Sequence, residues 1–256
     1  MTQQELYDIL EGGVLRHNRW EFIADDPIQI PHQFRLQQDI EIAGLFAALL
    51  AWGSRVSIIR SADRLMQLFD REPYSFVMNA NDRELNFVHR TFNSTDLNHL
   101  IGFLRFHYQR HKSLETAFLV EGQFEAKSSL TAFHQRVYQS QIQPSFRTQK
   151  HIANPQSGSA CKRLNMFLRW MVRRDDAGVD FGLWRNISMA HLHIPLDVHV
   201  QRSAQQLGLL NRKQSDWKAC EELTLQLKKL NPQDPVRYDY ALFGLGIEAK
   251  MRPKSQ

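Results

Sequence analysis

The sequence predicts an all-α fold. Apolar residues recur at helical spacing in one segment after another, no run alternates strictly between apolar and polar residues, and the joints are short, polar and marked by proline, glycine or serine.

A first helix is expected near Gln3 to Arg16, followed by a proline-marked loop from Asp26-Pro27 to Pro31-His32. The stretch Asp39 to Trp52 (DIEIAGLFAALLAW) is apolar almost all round, which predicts a buried central helix ended by Gly53-Ser54. Ser54 is the expected cap of a second amphipathic helix, with Val56, Ile59, Leu65, Met66 and Phe69 at helical spacing before Pro73 interrupts. Ser94 to Arg110 repeats the pattern, with Ser94 as cap and Leu97, Leu100, Ile101, Leu104 and Tyr108 on one face. A helix from about Ser128 to Tyr138 precedes a long loop, Gln141 to Ser159, rich in Gln, Pro, Ser and Asn. The next helix, Ala160 to Val172, turns Leu164, Phe167, Leu168 and Met171 inward, and Arg173 to Asn186 reads as an irregular connection. Three more helices are expected at about Asp197–Leu207, Gln214–Leu230 and Pro235–Leu245, with Gly208 and Gly246 as stops.

Composition narrows the function classes. At 256 residues and 43% hydrophobic, the chain buries a core of its own, as one large domain or two small ones. Two cysteines, Cys161 and Cys220, are too few for a disulfide framework, an iron–sulfur cluster or a four-thiolate zinc site. A polar N-terminus without a basic-then-apolar pattern, and the lack of any bilayer-length apolar run, lead us to expect a cytoplasmic protein with no membrane partner. The net charge of +5 is unevenly spread. From Ala126 to Arg174 there are nine basic residues and no Asp or Glu, which leaves 23 of the 32 basic residues against all 27 acidic ones elsewhere. Such a stretch suits phosphate neutralisation, or is a solvated basic face with no partner.

Chemistry points to two places. In the run Asn154-Pro-Gln-Ser-Gly-Ser-Ala-Cys-Lys-Arg, a Pro/Ser/Gly turn leads straight into an apolar-faced helix. Exposed N–H groups and the helix dipole there favour an anion, Gly158 allows close approach, and Ser159, Lys150, Arg147 and Arg163 are candidate phosphate contacts. Lys162, in the first turn beside Arg163, is placed to become the neutral amine that attack on a sugar carbon requires. Thirty-five residues on, Pro195 stops the preceding chain and Asp197 opens a helix, where it serves as an N-cap and also as a carboxylate able to stabilise developing positive charge or activate a nucleophile. His191, His193, Asp197 and His199 lack the spacing of a zinc motif, so neither metal nor cofactor is expected. Trp52, Trp170, Trp184, Phe167 and Phe181 read as core rather than as base-stacking groups, and Arg55 as a wedge, a phosphate contact or an exposed helix-start arginine. Cys161 adjoins the dipole but has no evident general-base partner, which argues against a nucleophilic thiol.

These segments resemble a known superfamily. The turn and helix with Lys162, then Leu196-Asp197-Val198-His199-Val200, Arg202 and Leu207-Gly208-Leu209, look like the hairpin lysine and aspartate segment of helix-hairpin-helix DNA glycosylases such as endonuclease III and the 8-oxoguanine glycosylases. Glu41 to Val56 is similar to the central helix that opens that fold. The strings CKRLNMFLRWMV, PLDVHV and DYALFGLGI resemble an uncharacterised bacterial family, domain of unknown function 2400. The superfamily resemblance implies a bilobal helical bundle, one lobe from residues 36–140 and the other from 1–35 plus 141–256, acting as a monomer on damaged duplex DNA. It further implies base excision with AP lyase activity on a damaged, possibly oxidised, base, Lys162 attacking the sugar and Asp197 supporting departure of a flipped base, with His199 and Arg202 at the DNA. The longer turn Pro155 to Ser159, with a single glycine, motivates the alternative of a non-catalytic nucleic-acid-binding protein; an RNA-directed enzyme is a weaker third reading.

Overall fold

The computed structural model describes residues 1–79, 85–139 and 148–251. Among them the fold is mostly helical, and the chain forms two compact units: Met1–Phe22 with the chain from Pro155 onward, and Ile23–Asn154.

The unit Ile23–Asn154 is built on α2 (Gln37–Leu49), buried without interruption from Ile40 to Leu49. The one carboxylate in that run, Glu41, is compensated in full view of its burial. It accepts from Tyr108 Oη at 2.8 Å, Ser113 Oγ at 2.6 Å, the Leu114 N–H at 2.9 Å and Gln37 Nε2 at 2.9 Å. Helix α3 (Arg55–Leu68) is capped by Ser54, whose hydroxyl accepts from the Ser57 N–H. Its inward face is Ile58, Ala62, Leu65 and Met66, while Val56, expected inside, is exposed because it lies in the first turn, half a turn off that stripe. Pro73 begins a helix instead of merely interrupting one: α4 (Pro73–Asn79) places it where a missing N–H costs nothing. A two-stranded antiparallel hairpin, β1 (Val88–His89) and β2 (Phe92–Asn93), pairs Val88 with Asn93 and His89 with Phe92. Two-residue strands are too short to print an alternating pattern. Helix α5 (Ser94–Tyr108) is capped by Asn93 in a capping box with Asp96, not by Ser94, whose hydroxyl is engaged with the Phe87 backbone. After helix α6 (Ala126–Gln139), the described residues of this unit resume with a 3-10 turn at Thr148–His151.

The other unit begins with α1 (Gln3–His17), closed at its start by a Thr2/Glu5 capping box. It continues with α7 (Lys162–Val172), α8 (Val198–Gln206), α9 (Trp217–Leu230) and α10 (Asp239–Met251). The core shared by α1, α8, α9 and α10 includes Leu10, Val14, Leu196, Val200, Cys220, Leu223 and Leu242. Helix α10 packs against both α1 and α8. Gly246 does not stop it; a Cβ there would lie 2.9 Å from the His199 Cβ, so this glycine permits close approach of α8. At the other face, a Cβ on Gly13 would stand 2.6 Å from the Ala241 Cβ and 2.9 Å from its Cα. Gly13→Ala is therefore expected to destabilise by about 1 kcal/mol net, overpacking of about 1–3 kcal/mol outweighing a helix-propensity gain of about 1 kcal/mol. Urea unfolding measures the difference, and a rise in stability would mean that α1 and α10 separate freely.

Candidate active site

The segment ahead of α7 is fixed by backbone geometry. After a 3-10 turn at Pro155–Ser157, Gly158 takes φ +86° with open space where a Cβ would stand. Its carbonyl accepts from the Trp217 N–H at 2.9 Å, and Ser159 forms an isolated antiparallel bridge with Asp216, the N-cap of α9. Ser159 Oγ accepts from the Cys161 N–H, and Cys161, left-handed at φ 49°, occupies the N-cap of α7 without offering a side-chain acceptor. The opening N–H groups of α7 thus have no side-chain cap, and Lys162 is the first residue of the helix. Burial pushes the Cys161 thiol up to about 12, against the pull of Ser159 and Arg163, which makes it a poor nucleophile at neutral pH.

Asp197 arrives from the opposite direction. Ile194 and Leu196 are buried, and the Ile194 N–H donates to Thr224 Oγ1 at 3.1 Å, so the strand-like approach to α8 is anchored on α9. Asp197 caps α8 with one oxygen: Oδ1 accepts the His199 and Val200 N–H groups, each at 2.8 Å. The second oxygen is left to face Lys162, with Nζ and Oδ2 3.3 Å apart. The two residues, 35 apart in sequence, meet at the heads of two helices, the amine side chain 35% exposed and the carboxylate 13%. That is sheltered yet reachable.

The remaining candidates divide between the units. Gly158 is exposed, Ser159 and Arg163 are half-buried in the same turn and helix start, and in α8 His199 is half-buried and Arg202 exposed. His199 sets its ring edge-on to Phe243. Arg55, at the start of α3, and exposed Lys150 belong to the other unit, and Arg147 lies outside the described residues. Trp170, Trp184 and Phe167 are fully buried core, as their spacing suggested. Phe181 and Trp52 are half-buried, Trp52 stacking on His151. His193 stacks on Trp217, and among the described residues no group of three or more His, Cys, Asp or Glu is arranged to hold a metal.

Behind the pair runs a network that the sequence did not announce. Lys162, Arg169 and Arg173 fall seven and eleven residues along α7 and its C-cap, which puts them on one stripe. Arg169 and Arg173 are interior, 4% and 1% exposed. The connection after α7 folds back on it, Phe181 and Trp184 N–H groups donating to the Trp170 and Met171 carbonyls, and this inserts Asp180 between the two guanidinium groups. Arg169 Nε pairs with Asp180 at 3.2 Å and Arg169 Nη1 with Asp239. Arg173 pairs with Asp180 at 3.1 Å, Asp234 at 2.9 Å and Asp175 at 2.6 Å. Both guanidinium groups also lie over the Tyr240 ring, at 4.3 and 5.5 Å. Two of the nine cations in the basic stretch are therefore spent inside the protein, and the stretch offers less charge to the surface than the sequence suggested.

Burial pushes the Asp239 carboxyl up to about 7 against the pull of Arg169; Asp197 raises it further while Lys162 opposes. Asp234 moves up too, from burial opposed by Arg173. A folded-state carboxyl value above the unfolded one of 3.8 means the native state holds its proton more tightly. The stability that this proton brings is full below about pH 3.8 and is lost as pH climbs through about 7. For Asp239 alone the swing is at most about 4 kcal/mol. Asp239→Asn, which cannot ionise, is expected to flatten the fall in stability over that window, read by denaturant unfolding at a series of pH values; an unchanged slope would show that Asp239 stays ionised throughout.

These features define a two-unit, mostly helical protein whose most reactive-looking geometry is a lysine–aspartate pair at two helix heads. The chain belongs to the family described as protein of unknown function (DUF2400), whose model matches residues 26–248. No curated protein and no solved structure matches it. No described helix is long and apolar enough to cross a membrane.

Proposed function

We propose that the protein is a DNA base-excision glycosylase with associated AP lyase activity, acting on a damaged base. The observation that carries this reading is the 3.3 Å separation of Lys162 Nζ and Asp197 Oδ2, with Asp197 locked as an N-cap by its other oxygen. The likeness of these two segments to helix-hairpin-helix glycosylases supports it.

In this reading Asp197 takes the proton that the Lys162 ammonium sheds, and the freed lone pair attacks C1′ of the target nucleotide. The Nζ–C1′ bond forms as the bond from C1′ to the base breaks, and the base leaves with that electron pair and acquires a proton. Opening of the sugar ring places a proton on O4′ and leaves a Schiff base between Lys162 and C1′. Loss of a C2′ proton then expels the 3′ phosphate and cuts the strand. Gly158, Ser159, Arg163 and Arg202 are the phosphate contacts of this unit, supported by the exposed positive-φ turn and the uncapped head of α7.

The test is reduction with borohydride in the presence of duplexes carrying an abasic site or one of a panel of damaged bases. A covalent protein–DNA adduct on at least one duplex is the expected result. Lesion-independent, salt-sensitive binding with no adduct and no released base would instead assign the non-catalytic nucleic-acid-binding role.

A further inference from the structure

We infer that Cys220 and Thr224, one turn apart on α9, are positioning residues for the Lys162–Asp197 pair: this face of α9 grips the chain that carries both residues and so sets the gap between them. As a claim about catalysis this rests on the glycosylase reading; as a claim about what holds the pair together it does not.

Both backbone groups of Ile194, which shortly precedes Asp197, are met by side chains of α9. Its N–H donates to Thr224 Oγ1 at 3.1 Å, and its carbonyl accepts from Cys220 Sγ at 3.2 Å. Thr224 Oγ1 in turn donates to the Cys220 carbonyl at 2.7 Å, which fixes the hydroxyl with a lone pair toward Ile194. Burial raises the Cys220 thiol, so it keeps the proton that it donates. From Ile194 the chain reaches Asp197 through Pro195, whose ring locks φ, and Leu196, which is buried in the core shared with α9. A clamp at Ile194 is thereby carried to the head of α8 with little slack.

The chain leading to Lys162 is held from the same helix. The Trp217 N–H, at the start of α9, donates to the Gly158 carbonyl at 2.9 Å, and Ser159 is bridged to Asp216. Asn165 of α7 joins the two sides: its Nδ2 donates to the Ala160 carbonyl at 3.1 Å and lies 3.7 Å from Cys220 Sγ. One thiol thus meets α7 on one side and the approach to Asp197 on the other. Cys220 and Thr224 are both buried, in positions that an ordinary helix core fills with alanine or leucine, and a polar group buried there needs partners. The partners they find outside α9 are Asn165 and Ile194, on the segments that carry the amine and the carboxylate. The pair does not fix its own geometry. Lys162 is about a third exposed, and an ion pair open to water contributes little, so the 3.3 Å contact follows from where α9 sets its two members.

The experiment reads the pair by NMR of the full chain with carbon-13 methyl groups on its lysines, Lys162 being assigned from the signal missing in Lys162→Arg. Asp197→Asn, which keeps the cap, marks where that signal stands without a carboxylate opposite. Thr224→Val, of nearly the same volume but without the hydroxyl, and Cys220→Ala are each expected to move the Lys162 signal toward that position, while Thr224→Ser leaves it at the wild-type one. Leu227→Ala, which opens a cavity on the buried face of the same helix, is expected to lower the denaturation midpoint without moving the signal. Should Thr224→Val fail to fold, Cys220→Ala decides. On a duplex with an abasic site, the rate of borohydride-trapped adduct formation should fall by up to about 100-fold in Thr224→Val, with affinity for the duplex unchanged. A Lys162 signal unmoved in Thr224→Val or in Cys220→Ala, moved as far by Thr224→Ser or Leu227→Ala, or unmoved by Asp197→Asn overturns the inference. Signals that move as expected in a protein that forms no DNA adduct would leave the inference standing and remove the glycosylase reading; an adduct with unmoved signals would do the reverse.

Discussion

Lys162→Ala is expected to abolish the borohydride-trapped DNA adduct altogether, because the atom that is trapped is removed. Release of the damaged base should fall with it, by a factor on the order of 10²–10⁴, the range a single positioned catalytic group supplies. Lys162→Arg is the sharper control. It keeps a cation opposite Asp197 but offers no nucleophilic amine, so loss of the adduct in a protein of wild-type stability isolates chemistry from folding. Asp197→Asn probes the partner from the other side. The amide oxygen retains an acceptor for the His199 and Val200 N–H groups, so α8 stays capped while the proton acceptor disappears. An adduct undiminished in Lys162→Ala would assign the attack to another amine, and the pair at the helix heads would then be a cap and a surface-linked ion pair only.

How much of this could be read from the sequence depends on whether a residue's role is set locally. Asp197 was legible as a cap because an aspartate between a proline and a helical run has one favourable local geometry. Lys162 was legible as a helix-start lysine, and the inward set Leu164, Phe167, Leu168 and Met171 followed from spacing alone. Arg169 and Arg173 share that helix, and their sequence neighbourhood, free of Asp and Glu from Ala126 to Arg174, made them look like surface cations. Their partners come from residues 175 to 239, and nothing in a local charge pattern reports carboxylates that the chain returns later. The spacing 162, 169, 173 was the one available signal, since a cationic stripe beside an apolar one needs either solvent or buried acids. Gly246 failed as a stop for the same kind of reason: in sequence a glycine near a helix end reads as a terminator, whereas here its use is the approach of His199. Position 94 was off by one residue, and that error is local, since Asn93 and Ser94 are both good caps and only the hairpin's claim on the Ser94 hydroxyl decides between them.

Arg173→Met should be the most destabilising of the single substitutions considered. The methionine fills much of the same volume, so little of the effect is cavity formation. What it removes is the cation shared by Asp180, Asp234 and Asp175, two of them almost wholly enclosed, and stranding buried carboxylates in this way costs about 3–5 kcal/mol. Burial by itself works against charge on Arg173, yet the surrounding carboxylates hold the guanidinium more firmly protonated than usual, so the balance of the site rests on their number. Adding Asp234→Asn should therefore recover part of the loss, because one unpaired charge is withdrawn, and the two changes should fall short of additivity in chemical denaturation. The same logic gives the loss a pH signature. With Arg173 absent, the stranded carboxylates can relieve their repulsion by taking up protons, so the deficit of Arg173→Met should shrink as pH is lowered toward the carboxylate range and widen above neutrality. A deficit of under 1 kcal/mol, constant with pH, would mean that water reaches Asp180 and Asp234 and that the network is solvated rather than buried.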